Sequence, residues 1–274
     1  MTTLDTRVLG PDALDSVLAL CNRSLSEPLL RGELEGSLFA PDQPTVLRGD
    51  PEIGVVAAVP GEPDGFIRLL VVDPAHRGKG HGHTLLAAAQ ADLATSRVIT
   101  VGADPPYWLF PGVERSEIAL LCLLEKHRYS REEANFNMEV DLTQIPADPG
   151  GAAPATAADR DELAEWMTVH WANWRAEVLR ALDRGTLLLA RDEAGIAGFC
   201  AWNVNRRGLL GPIASRPDLV GKGTGLPLLL GALHRIRASG ESTTEIAWVG
   251  PIRPYAAIGA RVTRVFFVYR KRRR

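Results

Sequence analysis

The sequence contains one short glycine-rich motif twice, and the repetition extends well beyond the glycines. "HRGKGHG" spans His76 to Gly82, and "LVGKGTG" spans Leu219 to Gly225, at an offset of 223 − 80 = 143 residues. At that offset these positions coincide: Pro74 with Pro217, Gly78 with Gly221, Lys79 with Lys222, Gly80 with Gly223, Gly82 with Gly225, Leu85 with Leu228, Leu86 with Leu229, Ala89 with Ala232, and Leu93 with Ile236. A unit used twice at one fixed spacing predicts a duplicated fold.

Each motif lies between an extended apolar run and a helical pattern. The runs are "FIRLLVVDP" and "GLLGPIASRP", and the apolar residues behind each motif recur at helical spacing. The repeated unit is therefore predicted to be a strand, a glycine loop and a helix with one buried face.

A second match follows at a shorter offset. "LLEKHRY" (Leu123 to Tyr129) matches "PYAAIGA" (Pro254 to Ala260) at 131, so 143 − 131 = 12 residues are extra in the first half. We place them in "DPPYWLFPGVER". Each half then ends on an alternating strand pattern, "EEANFNMEVDL" or "VTRVFFVYRK", and each begins with a helical stretch followed by apolar strands. Two α/β domains, each with a mixed sheet, are predicted.

The domain boundary is predicted from composition. Residues 143–159, "TQIPADPGGAAPATAAD", are rich in Pro, Gly and Ala without apolar periodicity. We predict an N-terminal domain at 1–142, a linker at 143–157 and a C-terminal domain at 158–274. A length of 274 residues with 46% hydrophobic content is ample for two cores.

Charge, cysteines and apolar runs restrict the functional classes. A net charge of −2 argues against a general nucleic-acid binder, and the terminal "YRKRRR" is expected to be a solvated strand end, with a partner anchor as the alternative. Three cysteines without C-x-x-C spacing predict no disulfide framework and no structural zinc. The chain lacks a signal pattern and a membrane-length apolar run, so we predict a cytoplasmic protein. His76, His81 and His83 have no carboxylate at ligand spacing, and no metal is predicted.

A glycine loop at a helix start is typical of an anion-binding site. Bare backbone lets amide N–H groups approach a ligand, and the helix dipole favours negative charge there. Arg77, Lys79 and a histidine add positive charge, so a phosphate or pyrophosphate is the expected ligand. The P-loop pattern fails because Arg216 occupies its first glycine position, and the dinucleotide pattern fails because the spacing is G-x-G-x-G.

The pattern R-G-x-G-x-G after V-x-P resembles that of the GNAT superfamily of acetyl-CoA-dependent N-acyltransferases, whose R/Q-x-x-G-x-G/A loop binds the coenzyme A pyrophosphate. "VVDPAHRGKGHGHTLLAAA" matches this pattern closely, and "IASRPDLVGKGTGLPLLLGAL" matches it with Val220 in place of the arginine. The resemblance covers both halves, as in mycothiol synthase-like tandem proteins. It implies two GNAT-like domains, each with a mixed, mostly antiparallel sheet flanked by helices.

The resemblance also implies acetyl-CoA as cosubstrate and a set of coenzyme-binding residues. In the first half they are Leu70, Val71, Val72, Arg77, Gly78, Lys79, Gly80, His81 and Gly82, and in the second Ile213, Ala214, Gly221, Lys222, Gly223, Thr224 and Gly225. Because Val220 replaces an arginine, we expect acetyl-CoA to bind the first half more readily.

The family's proton-donating tyrosine, in the motif Y-x-x-x-G-F, matches Tyr255 in the second half. Leu124 occupies that position in the first half and cannot donate a proton. Tyr255 is thus the predicted catalytic residue, with core packing as the alternative. The sequence does not identify the general base: many enzymes of this family use chains of water molecules, and Glu245 and Asp104 are the side chains that could act instead. Aromatic residues at Tyr107–Val113, and Trp166, His170, Trp171 and Trp174, are either core residues or walls of an acceptor pocket.

Two functions follow. The first is an N-acetyltransferase that moves an acetyl group from acetyl-CoA to a primary amine of a small molecule or peptide, acting as a monomer or homodimer without membrane or nucleic acid. The alternative is a non-catalytic protein that binds coenzyme A or another anionic ligand. Tyr255 and the intact "RGKGHG" favour the enzyme, whereas Leu124 and Val220 favour the binding protein.

Overall fold

The computed structural model describes residues 4–40, 44–104 and 109–273. The chain divides into two compact units. Unit 1 consists of Met1–Asn135 with Val265–Arg274, and unit 2 of Phe136–Arg264. The boundary between the units falls inside two long strands, β6 at Ser130–Asp141 and β12 at Arg261–Arg272.

Unit 1 is a sheet covered by helices on both faces. Its helices are α1 (Leu14–Ser24), α2 (Arg31–Leu38), α3 (His81–Asp92) and α4 (Ile118–Lys126), and its strands are β1 (Val46–Asp50), β2 (Gly54–Val59), β3 (Asp64–Val72), β4 (Val98–Val101) and β5 (Val113–Glu114). The strand order is β1-β2-β3-β4-β12, and only the β3–β4 pair is parallel. Strand alternation sends Val55 toward the cluster with α1 and α2, and Val56 toward the cluster with α3.

Unit 2 repeats this architecture. Its helices are α5 (Arg160–His170), α6 (Arg175–Asp183), α7 (Gly225–Ala238) and α8 (Ile252–Ala256), and its further strands are β7 (Ala152–Pro154), β8 (Leu187–Asp192), β9 (Gly195–Trp202), β10 (Leu209–Ser215) and β11 (Thr243–Ile246). The order is β6-β11-β10-β9-β8-β7, with only the β10–β11 pair parallel. The predicted α/β class, with a mixed and mostly antiparallel sheet in each half, is confirmed.

The closing strands are exchanged between the sequence halves. Tyr269–Arg272 of β12 pair with β4 in unit 1, and Met138–Asp141 of β6 pair with β11 in unit 2. The sequence patterns suggested that each half closes on its own strand. Alternation defines which face of a strand is buried, but it does not name the neighbouring strand.

The proline- and glycine-rich segment belongs to unit 2. Ile145 packs in the core of this unit, and Ala152–Pro154 pair antiparallel with Leu188–Ala190. Pro154 is tolerated because β7 is an edge strand. The compact units therefore differ from the predicted division at residues 142 and 158, which is based on composition.

The described part of the basic terminal run consists of Arg270–Arg272 at the end of β12 and Arg273 directly after it, and it is bonded within unit 1. Arg270 and Arg272 form ion pairs with Glu132, and Arg273 donates to the carbonyl oxygen of Ala94 at 2.7 Å, just beyond the end of α3. These residues thus secure the last strand. None of the helices in the described ranges has the length and apolar character needed to cross a membrane.

Candidate functional site

In each unit the two parallel strands separate after a short ladder. β3 pairs with β4 only from Asp64 to Ile67 but continues to Val72, and the Gly102 N–H donates the last bond, to the Ile67 carbonyl, at 2.9 Å. Past that bond, no strand in the described residues pairs with β3 on its β4 side. We call this opening the splay. Its free backbone groups can pair with an extended ligand.

Unit 2 has the same splay between β10 and β11. The ladder covers Leu209 and Leu210, and the Ala247 N–H closes it by donating to the Leu210 carbonyl at 3.1 Å. β10 then continues to Ser215. The next residue after each closing bond has a left-handed backbone: Ala103 at φ 54° and Trp248 at φ 48°. Positive φ in residues other than glycine is rare and marks a constrained turn.

The two glycine loops have the same backbone conformation. Gly78 and Gly80 have φ angles of 76° and 91°, and Gly221 and Gly223 have 80° and 94°. Each loop leads directly into a helix, α3 or α7. A Cβ added at Gly78, Gly221 or Gly223 would meet no atom within 4 Å. These glycines are therefore required by their positive φ, and the open space beside them fits an anionic group at the helix start.

The cations of the first loop bond to backbone carbonyls of unit 1. Arg77 Nε donates to the Val72 carbonyl at 3.1 Å and Nη2 donates to the Ser24 carbonyl at 3.0 Å, while Lys79 Nζ donates to the Ala75 carbonyl at 2.9 Å. Arg77 thus fixes the turn between β3 and α3.

The histidines of the first loop lie apart from one another. His81 is buried at the start of α3, with its ring centroid 6.1 Å from that of His76. His83 Nδ1 is 2.9 Å from His127 Nε2. Within the described ranges, no three His, Cys, Asp or Glu side chains are grouped so that they could hold a metal ion.

The second loop is secured by other side chains. Val220, at the position of Arg77, is 67% exposed, but Trp171 Nε1 donates to the Ser215 carbonyl at 3.2 Å. Ser215 and Val72 are equivalent at the offset of 143. At the start of this loop Arg216 pairs with Asp192 and Asp218, each at 2.7 Å. At the matching position of unit 1 the charges are reversed, since Asp73 there pairs with an arginine, Arg23.

The remaining predicted coenzyme residues lie along the same strands and loops. Val71 packs toward α1 and α2, whereas Leu70 and Val72 pack on the α3 side. Ile213 and Ala214 follow a register shift in β10. The last members of the set are at the helix starts: Gly82 and Gly225 lie in the first turns of α3 and α7, Thr224 and Lys222 in the loop before α7.

Tyr255 and Leu124 occupy equivalent places. The amide five residues further on donates to the carbonyl of each, at 3.1 Å for Tyr255 and 3.0 Å for Leu124. Gly259 (φ 87°) and Arg128 (φ 62°) then take the same left-handed turn. Tyr255 is 8% exposed in the unit 2 core, and burial, with a smaller effect of Cys200, raises its pKa to about 12. Its hydroxyl is thus protonated at neutral pH.

Both candidate bases are held by arginines. Asp104 and Arg68 form a fully buried pair, with Asp104 Oδ2 accepting from Arg68 Nε at 2.5 Å. Burial raises the pKa of Asp104 to about 6, and Arg68 opposes that rise. In unit 2 Glu245 accepts from Asn137 Nδ2 at 2.5 Å and pairs with Arg264 at 3.3 Å.

The aromatic clusters have different surroundings in the two units. Tyr107 and Trp108 lie outside the described residues, and Leu109 and Phe110 pack with α1 and α2 of unit 1. In unit 2 the tryptophans are half-buried against the core beneath α5 and α6. Trp166 lies 5.0 Å from His170 between ring centroids, and Trp171 stacks on Trp174 at 5.3 Å and 18°.

Sequence reasoning missed two features of the site. Gly54 and Gly198 lie under the equivalent leucines of α3 and α7: an added Cβ would come within 3.1 Å of Leu85 Cδ1 and 3.0 Å of Leu228 Cδ1. Their offset of 198 − 54 = 144 differs by one from that of the loops, which hid the match. Asn137 was also missed. Its Oδ1 accepts the N–H of Trp248 at 2.8 Å and so holds the turn after β11.

Comparisons with known proteins agree with this geometry. Residues 30–106 match the acetyltransferase (GNAT) family. The mycothiol acetyltransferase of Clavibacter sepedonicus is 27% identical over 264 residues, covering 86% of this chain and 84% of the relative.

Two solved structures have the same fold. One is the GCN5-related glucosamine N-acetyltransferase region of a fungal multi-domain β-N-acetylglucosaminidase, with a TM-score of 0.81 and 18% identity; it covers 99% of this chain, which spans only 38% of that protein. The other is a tandem GNAT protein from the clavulanic acid biosynthesis pathway, with a TM-score of 0.71, 17% identity and 98% of both chains covered.

Proposed function

We propose that this chain, which belongs to the GNAT superfamily and carries its fold in tandem, is an N-acetyltransferase that moves an acetyl group from acetyl-CoA to a primary amine of a small molecule or peptide. One observation carries the proposal: unit 2 combines a splay, a glycine loop before a helix, and a buried tyrosine. Tyr255 packs in the same core as Cys200, whose register partner on β10 is the predicted coenzyme residue Ile213.

The residues of both loops fit the coenzyme. Acetyl-CoA supplies an activated thioester when it is bound. The amides at the starts of α3 and α7 would hold its pyrophosphate, because the open glycines leave room and the helix dipole favours an anion. Free N–H groups along the splay would bond the thioester carbonyl and stabilise negative charge that develops on its oxygen.

Tyr255 would serve as the general acid. In the reaction the amine nitrogen forms a bond to the acetyl carbon, the carbon–sulfur bond breaks, the nitrogen loses a proton and the sulfur takes one up. Because the pKa of Tyr255 is raised to about 12, its hydroxyl holds a proton that it can give to the sulfur. The amine must be neutral to attack.

We assign acetyl transfer to unit 2 and coenzyme binding to both units. Unit 1 has Leu124 in place of the acid, and Leu109 and Phe110 pack with α1 and α2 on the face of β3 that carries Val71. The name of the Clavibacter relative supports acetyl transfer. Coenzyme binding without turnover is the second candidate, and Leu124 is the observation that favours it. A cytoplasmic location stays a prediction.

Release of free coenzyme A tests the proposal. The protein is incubated with acetyl-CoA and a panel of small-molecule and peptide amines, and free thiol is measured with a chromogenic reagent. We expect amine-dependent release. Thermal shifts with acetyl-CoA, coenzyme A and ATP measure binding separately. Stabilisation by acetyl-CoA without release for any amine would favour the binding protein, and no stabilisation by acetyl-CoA or coenzyme A would contradict both acetyl transfer and coenzyme binding.

A further inference from the structure

The first glycine loop is tied to its unit by Arg77. Val72 is the last residue of β3 and Ser24 is the last residue of α1, and the guanidinium donates to both carbonyls. Arg77 therefore joins the end of the strand before the loop to the end of the first helix. We call this connection the loop brace. It fixes the direction in which the chain leaves β3 and enters the loop.

In unit 2 the donor of the brace comes from the end of the first helix and not from the glycine loop. Ser215 is the last residue of β10 and matches Val72, and its carbonyl accepts from Trp171 Nε1 at 3.2 Å. Trp171 directly follows α5, and its own amide donates to the Met167 carbonyl at 2.9 Å, in the last turn of that helix. The same two features, the end of the strand and the end of the first helix, are therefore joined again.

The geometry points to Trp171 as a positioning residue: we propose that it holds the second coenzyme loop in the role that Arg77 has in the first. This inference rests on the proposed function, because it concerns acetyl-CoA binding by unit 2. The backbone at position 220 supports it. Val220 has φ −58° and ψ 126°, and Arg77 has φ −66° and ψ 157°, so the φ angles agree closely and both ψ angles are large and positive.

The stacked arrangement orients the indole. Trp174 lies parallel to Trp171 at 5.3 Å between centroids, which limits rotation of the Trp171 ring and keeps its N–H toward Ser215. Val220 is apolar and exposed, so it supplies no donor to that carbonyl. The indole N–H is neutral, whereas the guanidinium is charged. The unit 2 brace should therefore contribute less to coenzyme affinity than the unit 1 brace.

The experiment measures each loop in a chain where the other is blocked. Gly80→Glu places bulk and negative charge in the first loop, leaving the second to be titrated with acetyl-CoA by calorimetry. On this background Trp171→Phe keeps a ring but removes the N–H. We expect a roughly two- to tenfold loss of affinity, corresponding to one neutral hydrogen bond. Adding Val220→Arg should restore affinity to within about twofold, because it supplies the donor that Arg77 supplies in unit 1.

Trp171→Phe on a Gly223→Glu background is the matched control, since only the first loop remains to bind. There the affinity should not change. Unchanged affinity of the second loop after Trp171→Phe would overturn the proposal, as would failure of Val220→Arg to restore binding in a chain whose thermal unfolding midpoint is unaltered. If the Gly80→Glu protein binds no acetyl-CoA at all, the coenzyme role of the second loop is itself wrong, and the proposal with it.

Discussion

The two units share their backbone where the coenzyme is proposed to bind and differ in side chains where chemistry is proposed to occur. The loop glycines agree in φ to within a few degrees, and the left-handed turn after the central parallel pair is present in both. At the equivalent position beyond the glycine loop, however, one unit has Tyr255 and the other Leu124. The comparison teaches that a duplicated fold can keep the same loop backbone twice while only one copy has the tyrosine that we propose as the acid.

The two units also differ in the charged residues that are buried at the splay. Arg68 and Asp104 form a buried ion pair in unit 1 at the splay, and the corresponding positions of unit 2 are Gly211 and Val249. A buried ion pair loses the favourable free energy of hydration on folding. Only the attraction between the two charges and their hydrogen bonds inside the protein can compensate for that loss. In addition to Asp104, Arg68 bonds Thr45 Oγ1 at 3.0 Å and the Ser37 carbonyl, so it ties β3 to the chain around α2.

Replacing the tyrosine should have the largest effect on activity. Tyr255→Phe keeps the ring in the core and removes the acid, so turnover should fall by roughly two to four decades. Tyr129→Phe is the control, because Tyr129 is a buried tyrosine of unit 1 whose hydroxyl accepts from Gln90 Nε2 at 3.0 Å. Steady-state rates of both variants decide the matter. Wild-type turnover by the Tyr255→Phe variant would contradict the role of Tyr255 as the acid and with it the proposed functional difference between the units.

Removing one member of the buried pair should have the largest effect on stability. Arg68→Leu leaves Asp104 without its partner, and we expect a loss of about 3–5 kcal/mol at neutral pH. The pKa of Asp104 is already raised to about 6, so its contribution to stability falls as the pH rises from about 4 through 6. Without Arg68 the pKa should rise further. The deficit should therefore be smaller at pH 5 than at pH 7.5.

Denaturant unfolding at the two pH values measures this deficit. The double variant Arg68→Leu/Asp104→Leu serves as the control, since it removes both charges and leaves uncharged residues there, as at the corresponding positions Gly211 and Val249 of unit 2. Most of the stability should return. A double variant as unstable as Arg68→Leu would show that packing, and not the unpaired carboxylate, causes the loss.

The sequence predicted the loops and strands because their signals are local. Gly78, Gly80, Gly221 and Gly223 all have a positive φ, which suits the sharp turn expected of the motif, and each loop opens a helix as predicted. The exchange of closing strands was not predictable, since β6 and β12 have the same alternation and no residue in either specifies its partner.

The brace by Trp171 was equally hidden. It joins residues 44 positions apart through an indole that could as well have been a core residue. Ala103 and Trp248 have a left-handed backbone but are not glycines, so their residue types did not predict the turn that follows each parallel ladder. Features that depend on long-range contacts, or on backbone strain stabilised by neighbours such as Asn137, become visible only in the structure.

Removing the charged brace should sharpen the comparison of affinities. On the Gly223→Glu background, Arg77→Leu removes two charge-assisted bonds, to Val72 and Ser24, and acetyl-CoA affinity should fall by roughly one to two decades. Calorimetry gives the ratio of the acetyl-CoA affinities with and without Arg77→Leu. A loss no greater than that from Trp171→Phe in unit 2 would mean that charge makes no difference to the brace.

The smallest expected effect concerns the turn after α4. Arg128 has φ 62° where the matching residue of unit 2 is Gly259 at φ 87°, and no hydrogen bond or ion pair of the Arg128 side chain is seen among the described residues. A side chain in this conformation costs about 1–2 kcal/mol, part of which is offset because glycine is more flexible when unfolded. Arg128→Gly should therefore stabilise the protein by about 0.5–1 kcal/mol, measured by denaturant unfolding. Arg128→Ala keeps the Cβ and should give no such gain. Equal gains in stability from both variants would mean that removal of the arginine side chain, and not relief of the left-handed backbone, causes the gain.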